Sequence, residues 1–157
     1  MKGPRHVRTG VVVLMLSLAG CKASQDIGAW VDQVSPLKSK VDTASDVSPY
    51  LVEQQQTFKQ YFSTIEDVAV RLAQDPSYVT GFNAGLQSMD LGATCAKVFV
   101  SRVLWKKIMN RCLKQGFFIC SDEVRYYPDL LQGIRAKLTA ELQQKFDHTP
   151  ECESALH

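Results

Sequence analysis

Apolar residues recur at three- and four-residue steps along most of the chain, the spacing of amphipathic helices. Leu51, Phe58, Tyr61, Phe62, Ile65, Val68, Ala69 and Leu72 form one stripe of about six turns. Ser48 and Pro49 ahead of it read as an N-cap and a first helical residue. Asp75-Pro76 repeats that start signal, and Tyr78, Val79, Phe82, Leu86 and Met89 mark a shorter helix with Gly81 and Gly85 on one face. From 92 to 114, Cys95, Val98, Phe99, Leu104, Trp105, Ile108, Met109, Cys112 and Leu113 cluster on one side of a single predicted helix, and Gly116 is a natural breaker. Leu130, Leu131, Ile134, Leu138, Leu142 and Phe146 make the last stripe, opened by Pro128 and closed near Pro150. No strand-like alternation of useful length and no internal repeat interrupts this pattern. The predicted fold is all-α, a small bundle of about four helices.

Ahead of these stripes, residues 22–48 are mixed in character, with an apolar island at Ile27-Gly28-Ala29-Trp30-Val31 and an interruption at Pro36. This stretch reads as a tether carrying one short helix around 25–35. Trp30 reads either as a residue docking on the body or as an aromatic resting at the lipid interface; docking is preferred, since an isolated tryptophan usually buries its large apolar surface.

The first 21 residues have a different grammar. Lys2, Arg5 and Arg8 precede the apolar run Val11–Leu16, and Leu18-Ala19-Gly20-Cys21 follows. A basic region, a short apolar region and small residues before a cut site make a secretory signal. The apolar run is far shorter than the roughly 18–20 residues a spanning helix needs. The tetrapeptide ending in Cys21 resembles a bacterial lipobox. That resemblance covers residues 1–21 only and implies a lipoprotein, with a diacylglycerol on the Cys21 thiol, cleavage before it and palmitate-type acylation of the new amino end. Lys22 in place of aspartate implies an outer-membrane location facing the periplasm. The domain reading is therefore a signal peptide over 1–20, a lipidated N-terminus and tether over 21–48, and a helical domain over 49–157.

Composition agrees with a folded body: 45% of residues are hydrophobic and 22% charged. Removing Lys2, Arg5 and Arg8 from the 18 basic side chains leaves 15 against 16 acidic ones, so the formal +2 becomes −1. The basicity belongs to the signal, and nucleic acid is not an expected partner.

Besides Cys21 the chain has Cys95, Cys112, Cys120 and Cys152, an even number in a chain read as exported, hence two disulfides. Cys95 and Cys112 would lie about 25 Å apart along one continuous helix, beyond the roughly 7 Å reach of a bridge. An antiparallel hairpin turning at Gly116 would instead join Cys112 to Cys120 and Cys95 to Cys152. Cys95–Cys120 with Cys112–Cys152 is the other surviving connectivity. The spacing has no close cysteine knuckle and no histidine between the cysteines, so neither a metal nor a cofactor is expected.

Catalytic patterns are not found. His148 follows the last stripe and is expected to cap it, and Asp122-Glu123 suit a first helical turn. Tyr126-Tyr127 and Phe117-Phe118 are expected to cap the core. Arg102, Lys106, Lys107, Arg111 and Lys114 place five cations within 13 residues without an acid. This reads first as a solvated face partly paired with acids of a neighbouring helix, and second as a patch for an anionic partner, lipid headgroup or acidic protein. The function expected is that of a non-enzymatic, lipid-anchored envelope factor that binds or helps assemble another envelope protein. By anchor and size it is similar to pilotins and to lipoprotein immunity or exclusion factors. The alternative is a small-ligand binder, or an enzyme, built in the bundle.

Overall fold

The computed structural model describes residues 26–41, 51–115 and 122–157. Among them every regular element is helical: α1 (26–41), α2 (Leu51–Gln74), α3 (Pro76–Gln87), α4 (Leu91–Val98), α5 (Arg102–Gln115), α6 (Asp122–Arg135), α7 (Ala140–Asp147) and α8 (Pro150–Leu156). The all-α class stands, with more and shorter helices than the four expected. Ser48, Pro49 and Gly116 lie outside the described residues, as does everything before Asp26.

The organising contact is α2 on α6. Tyr61, Phe62, Ile65, Val68 and Leu72 are buried along one side of α2, facing a matching stripe of Val124, Tyr127, Leu131 and Ile134 on α6. Phe62 and Tyr127 meet with ring centroids 4.7 Å apart, close to the preferred separation for aromatic pairs. The stop-and-start signal between α2 and α3 works as its residues predict. Asp75 caps α3 through the backbone N–H groups of Ser77 (2.9 Å) and Tyr78 (3.2 Å), and Pro76 occupies the first helical position.

The stretch read as a tether contributes more than a tether would. Ile27, Trp30, Val34 and Val41 of α1 are buried in the same core cluster that runs on to Leu156 of α8. Together with half-buried Leu37 they recur at 27, 30, 34, 37 and 41, a regular three-four spacing that continues through Pro36. Trp30 does dock: its ring lies 5.8 Å from that of Phe82 and 6.1 Å from that of Phe99, and Phe99 in turn meets Phe146 at 5.9 Å. This aromatic chain ties α1 to α3, to the α4–α5 junction and to α7.

Two helices predicted as continuous are broken, each for a legible reason. The 92–114 stripe stops at Val98 and restarts at Arg102, with Phe99 in an extended conformation (φ −96°, ψ 133°). At such a break the backbone groups lose their helical partners and must find others when buried. The Tyr61 hydroxyl donates to the Val98 carbonyl. The Val100 N–H is held between the hydroxyl oxygens of Tyr61 (3.1 Å) and Tyr127 (2.9 Å). Extending the chain here also turns both Phe99 and Val100 into the core, at 6% and 0% exposure.

The last predicted stripe is likewise divided, into α6 and α7, and a further helix, α8, begins at Pro150, the expected close of the stripe. Between α6 and α7 the side chain of Asn83, buried on α3, supplies three bonds. Its amide donates to the carbonyls of Val79 (2.8 Å) and Lys137 (3.0 Å), and its oxygen accepts from the Thr139 N–H (2.7 Å). Thr139 then caps α7. We expect Asn83→Ala to cost about 2 kcal/mol, because it orphans two groups of the turn at once. Urea denaturation checks this; a loss within about 0.5 kcal/mol, the range of ordinary surface changes, would mean water replaces the side chain.

The start assigned to the last helix at Pro128 is also corrected. Helix α6 begins at Asp122 and carries Pro128 inside it. Proline lacks the N–H that would bond the carbonyl four residues back, here that of Val124. The indole N–H of Trp105 takes that carbonyl, at 2.8 Å, and so fastens α5 to α6. Trp105→Phe is accordingly expected to destabilise by about 1–2 kcal/mol. The loss should shrink in a Pro128→Ala background, where a restored N–H competes for Val124. A double-mutant cycle measures the difference, and strictly additive effects would refute the coupling.

Candidate functional site

Two features of the surface are candidates for function. The first is a cleft of about 230 Å³ where α1, α2 and α3 meet. Asp26, Trp30 and Gln33 line it from α1, Thr64, Asp67 and Arg71 from α2, and Tyr78 from α3. The spacings 26, 30, 33 and 64, 67, 71 put each set on one helix face. The Arg71 guanidinium sits 6.0 Å from the centre of the Tyr78 ring, within cation–π range. Burial pushes the Tyr78 hydroxyl above the usual phenol range; Arg71 opposes that shift and the Asp26 carboxylate adds to it. The Thr64 hydroxyl is engaged with the Gln60 carbonyl at 2.9 Å. The Trp30 indole N–H is buried and has no acceptor among the described residues, but it is closed to solvent as well. The reachable polar groups are therefore two carboxylates, an amide, a guanidinium and the hydroxyl of half-buried Tyr78, a lining able to hold a polar group of either sign.

The second feature is the outer face of α5. The structure separates the five cations singled out by the sequence. Arg102 lies partly buried, with Nη1 donating to the Leu156 carbonyl at 2.7 Å, and Arg111 is also half-buried. Lys106, Lys107 and Lys114 are exposed, and between them lie exposed Val103 and Leu113. Ile108, on the opposite side of α5, is 3% exposed and holds the helix to the body.

No protein-family model, curated protein or solved structure matches this chain.

Cys95 on α4 and Cys152 on α8 are joined by a disulfide, Cα to Cα 5.1 Å, and both are buried. The premise behind that expectation changes: 95 and 112 are not on one continuous helix, and Cys152 belongs to a separate short helix rather than to the far end of a long one. The approach of α8 to α4 is close enough that a Cβ on Gly92 would meet Glu151 Oε2 at 3.2 Å. The Cys112–Cys120 pairing and the lipidation site Cys21 lie outside the described residues, as do Phe117 and Phe118. Tyr127 is a core residue, whereas Tyr126 is 56% exposed with the Arg125 guanidinium 5.9 Å from its ring centre. His148 is the C-cap of α7, its Nδ1 2.7 Å from the Gln144 carbonyl.

Among the described residues there is no cluster of ligating side chains able to hold a metal, and no helix long and apolar enough to cross a membrane. The sequence reading missed the cleft altogether. Its signal was available in the polar positions 26, 33, 67 and 71, but which helices face one another across it is not written in any one of them.

Proposed function

We propose that this chain is an exported lipoprotein, held at the periplasmic side of an outer membrane by acyl groups on Cys21, whose helical body binds another envelope protein without catalysing a reaction. The observation that carries the proposal is the buried Cys95–Cys152 disulfide. Structural disulfides persist in oxidising compartments and are rare in the cytosol, which agrees with the export signal read in residues 1–21. In this reading Cys21 supplies the anchor, since two or three acyl chains hold a protein durably where one does not. The cleft beside Trp30 begins five residues after the anchor cysteine and receives a charged side chain of the partner. Pilotin-like, immunity-like and exclusion-like roles all share this arrangement.

Cross-linked co-purification of the native protein beside a Cys21→Ser form tests the proposal. One envelope protein enriched with the native form, and reduced both with Cys21→Ser and with Asp67→Ala/Arg71→Ala, is the expected result. No enrichment with any form overturns it. The cleft also favours a second reading, the binding of a small polar molecule. Its volume falls below the roughly 300–1,000 Å³ of typical ligand pockets, which places that reading second. A ligand-induced rise in melting temperature that disappears in the same cleft variant would promote it.

A further inference from the structure

We infer that the outer face of α5 is a docking surface for anionic phospholipid headgroups. At 100° per residue, Val103, Lys106, Lys107, Asn110, Leu113 and Lys114 fall within an arc of about 120°. All six are exposed, Val103 at 65% and Leu113 at 51%. No acid occurs anywhere in the 14 residues of α5. The face therefore presents three cations, a neutral amide and two apolar side chains set about 15 Å apart along the axis.

The rest of the helix circumference is what holds it in place: Ile108 and Trp105 from the opposite side and Arg102 from the edge of the face. Ile108 is buried, the Trp105 indole bonds the Val124 carbonyl, and the Arg102 guanidinium bonds the Leu156 carbonyl. The helix can thus lie along a surface without giving up a contact to the body. Among the described residues none of the three lysines is in an ion pair; the pairs Arg135–Asp147 and Lys145–Glu141 lie elsewhere, on α6 and α7.

The composition of the face selects a lipid surface over a protein one. Protein partners concentrate binding in aromatic and arginine anchors seated in pockets, and planar guanidinium forks suit paired carboxylates. Here the two arginines are turned toward the body, and the exposed cations are lysines, point charges on flexible stems that adapt to a diffuse layer of phosphates. The lysine stems are long and flexible enough to bend their ammonium groups back to the headgroup level, which lets Val103 and Leu113 approach the acyl boundary. That is the pattern of a helix lying in a membrane interface.

This inference rests on neither acylation of Cys21 nor a protein partner, and its test separates it from both. The full chain is made by cell-free translation, without acyl groups, and mixed with vesicles of 30% phosphatidylglycerol in phosphatidylcholine or of phosphatidylcholine alone. A Lys106→Gln/Lys107→Gln/Lys114→Gln chain keeps Lys2, Arg5 and Arg8, so any difference belongs to α5. The wild-type chain should need about a hundredfold less anionic lipid for half binding than the triple variant. That advantage should fade as salt rises and be missing on phosphatidylcholine.

A Val103→Trp chain gives a local reading once the emission of the parent chain, from Trp30 and Trp105, is subtracted. The difference emission should move to the blue on anionic vesicles and much less so when the three lysines are also replaced. All these positions are on the solvent side, so folding is retained. Equal lipid requirement for both chains, or an emission unchanged by anionic vesicles, overturns the inference. Lysine-dependent cross-linking to an acidic protein without vesicle binding overturns it too and assigns the face to that protein.

Discussion

Replacing Cys95 and Cys152 together by alanine should lower the unfolding free energy by about 4 kcal/mol, the largest effect we expect from so small a change. The bridge closes a sequence separation of 57 residues, and the chain-entropy account assigns about 4 kcal/mol to a loop of that length. Local structure gives little to fall back on. The bridged helices α4 and α8 have 8 and 7 residues, well below the length at which a helix is stable alone. Urea denaturation of the oxidised and variant chains should show a lower midpoint and a steeper slope without the bridge, because the freed unfolded chain exposes more surface. A loss below about 1 kcal/mol would mean the unfolded ensemble is already compact between these residues.

The second large effect concerns the two tyrosines at the α4–α5 break. Tyr61→Phe removes the donor to the Val98 carbonyl, and Tyr127→Phe removes the nearer acceptor of the Val100 N–H. Each change preserves ring packing, so the loss measures hydrogen bonding. We expect about 2 kcal/mol for Tyr61→Phe and about 1 kcal/mol for Tyr127→Phe, since Tyr61 still accepts from Val100 in the latter. The double variant should lose more than the sum, about 4 kcal/mol, because only then are both backbone groups orphaned in the core. Simple additivity would mean that the two hydroxyls, 3.5 Å apart, do not share the Val100 N–H. A net gain in helix content with little loss of stability would mean that α4 and α5 fuse into the single helix their apolar stripe describes.

These two breaks show where sequence reading reaches its limit. The stripes themselves were legible: the helical class, the face of α2 and the second half of that of α6, the caps at Asp75 and His148 and the docking of Trp30 all follow from spacing and residue type. Helix ends at Val98 and Arg135 were not, because apolar periodicity continues across both. What decides them is a hydroxyl pair and an amide carried by other helices, 37 and 54 residues away along the chain for Tyr61–Val98 and Asn83–Lys137. Proline at 128 was read as a start because an interior proline normally leaves an orphan carbonyl; the compensating indole at 105 is again distant. The same holds for the site. The cations of α5 could be counted, but separating inward Arg102 and Arg111 from outward Lys106, Lys107 and Lys114 needs the position of α8 and α6 around the helix.

Under the proposed Cys21 anchor this protein can be pulled upon, and the Cys95–Cys152 bond decides how it yields. Tension between the two chain ends bypasses the bridged segment, since the covalent link carries the load across it. Some 57 residues, about 190 Å of extended chain, therefore stay out of the stretched length. Under tension α1, α2 and α3 can be drawn out while the segment holding α5, α6 and α7 remains a closed covalent ring. In an oxidising compartment that ring is the part of the molecule force cannot lengthen.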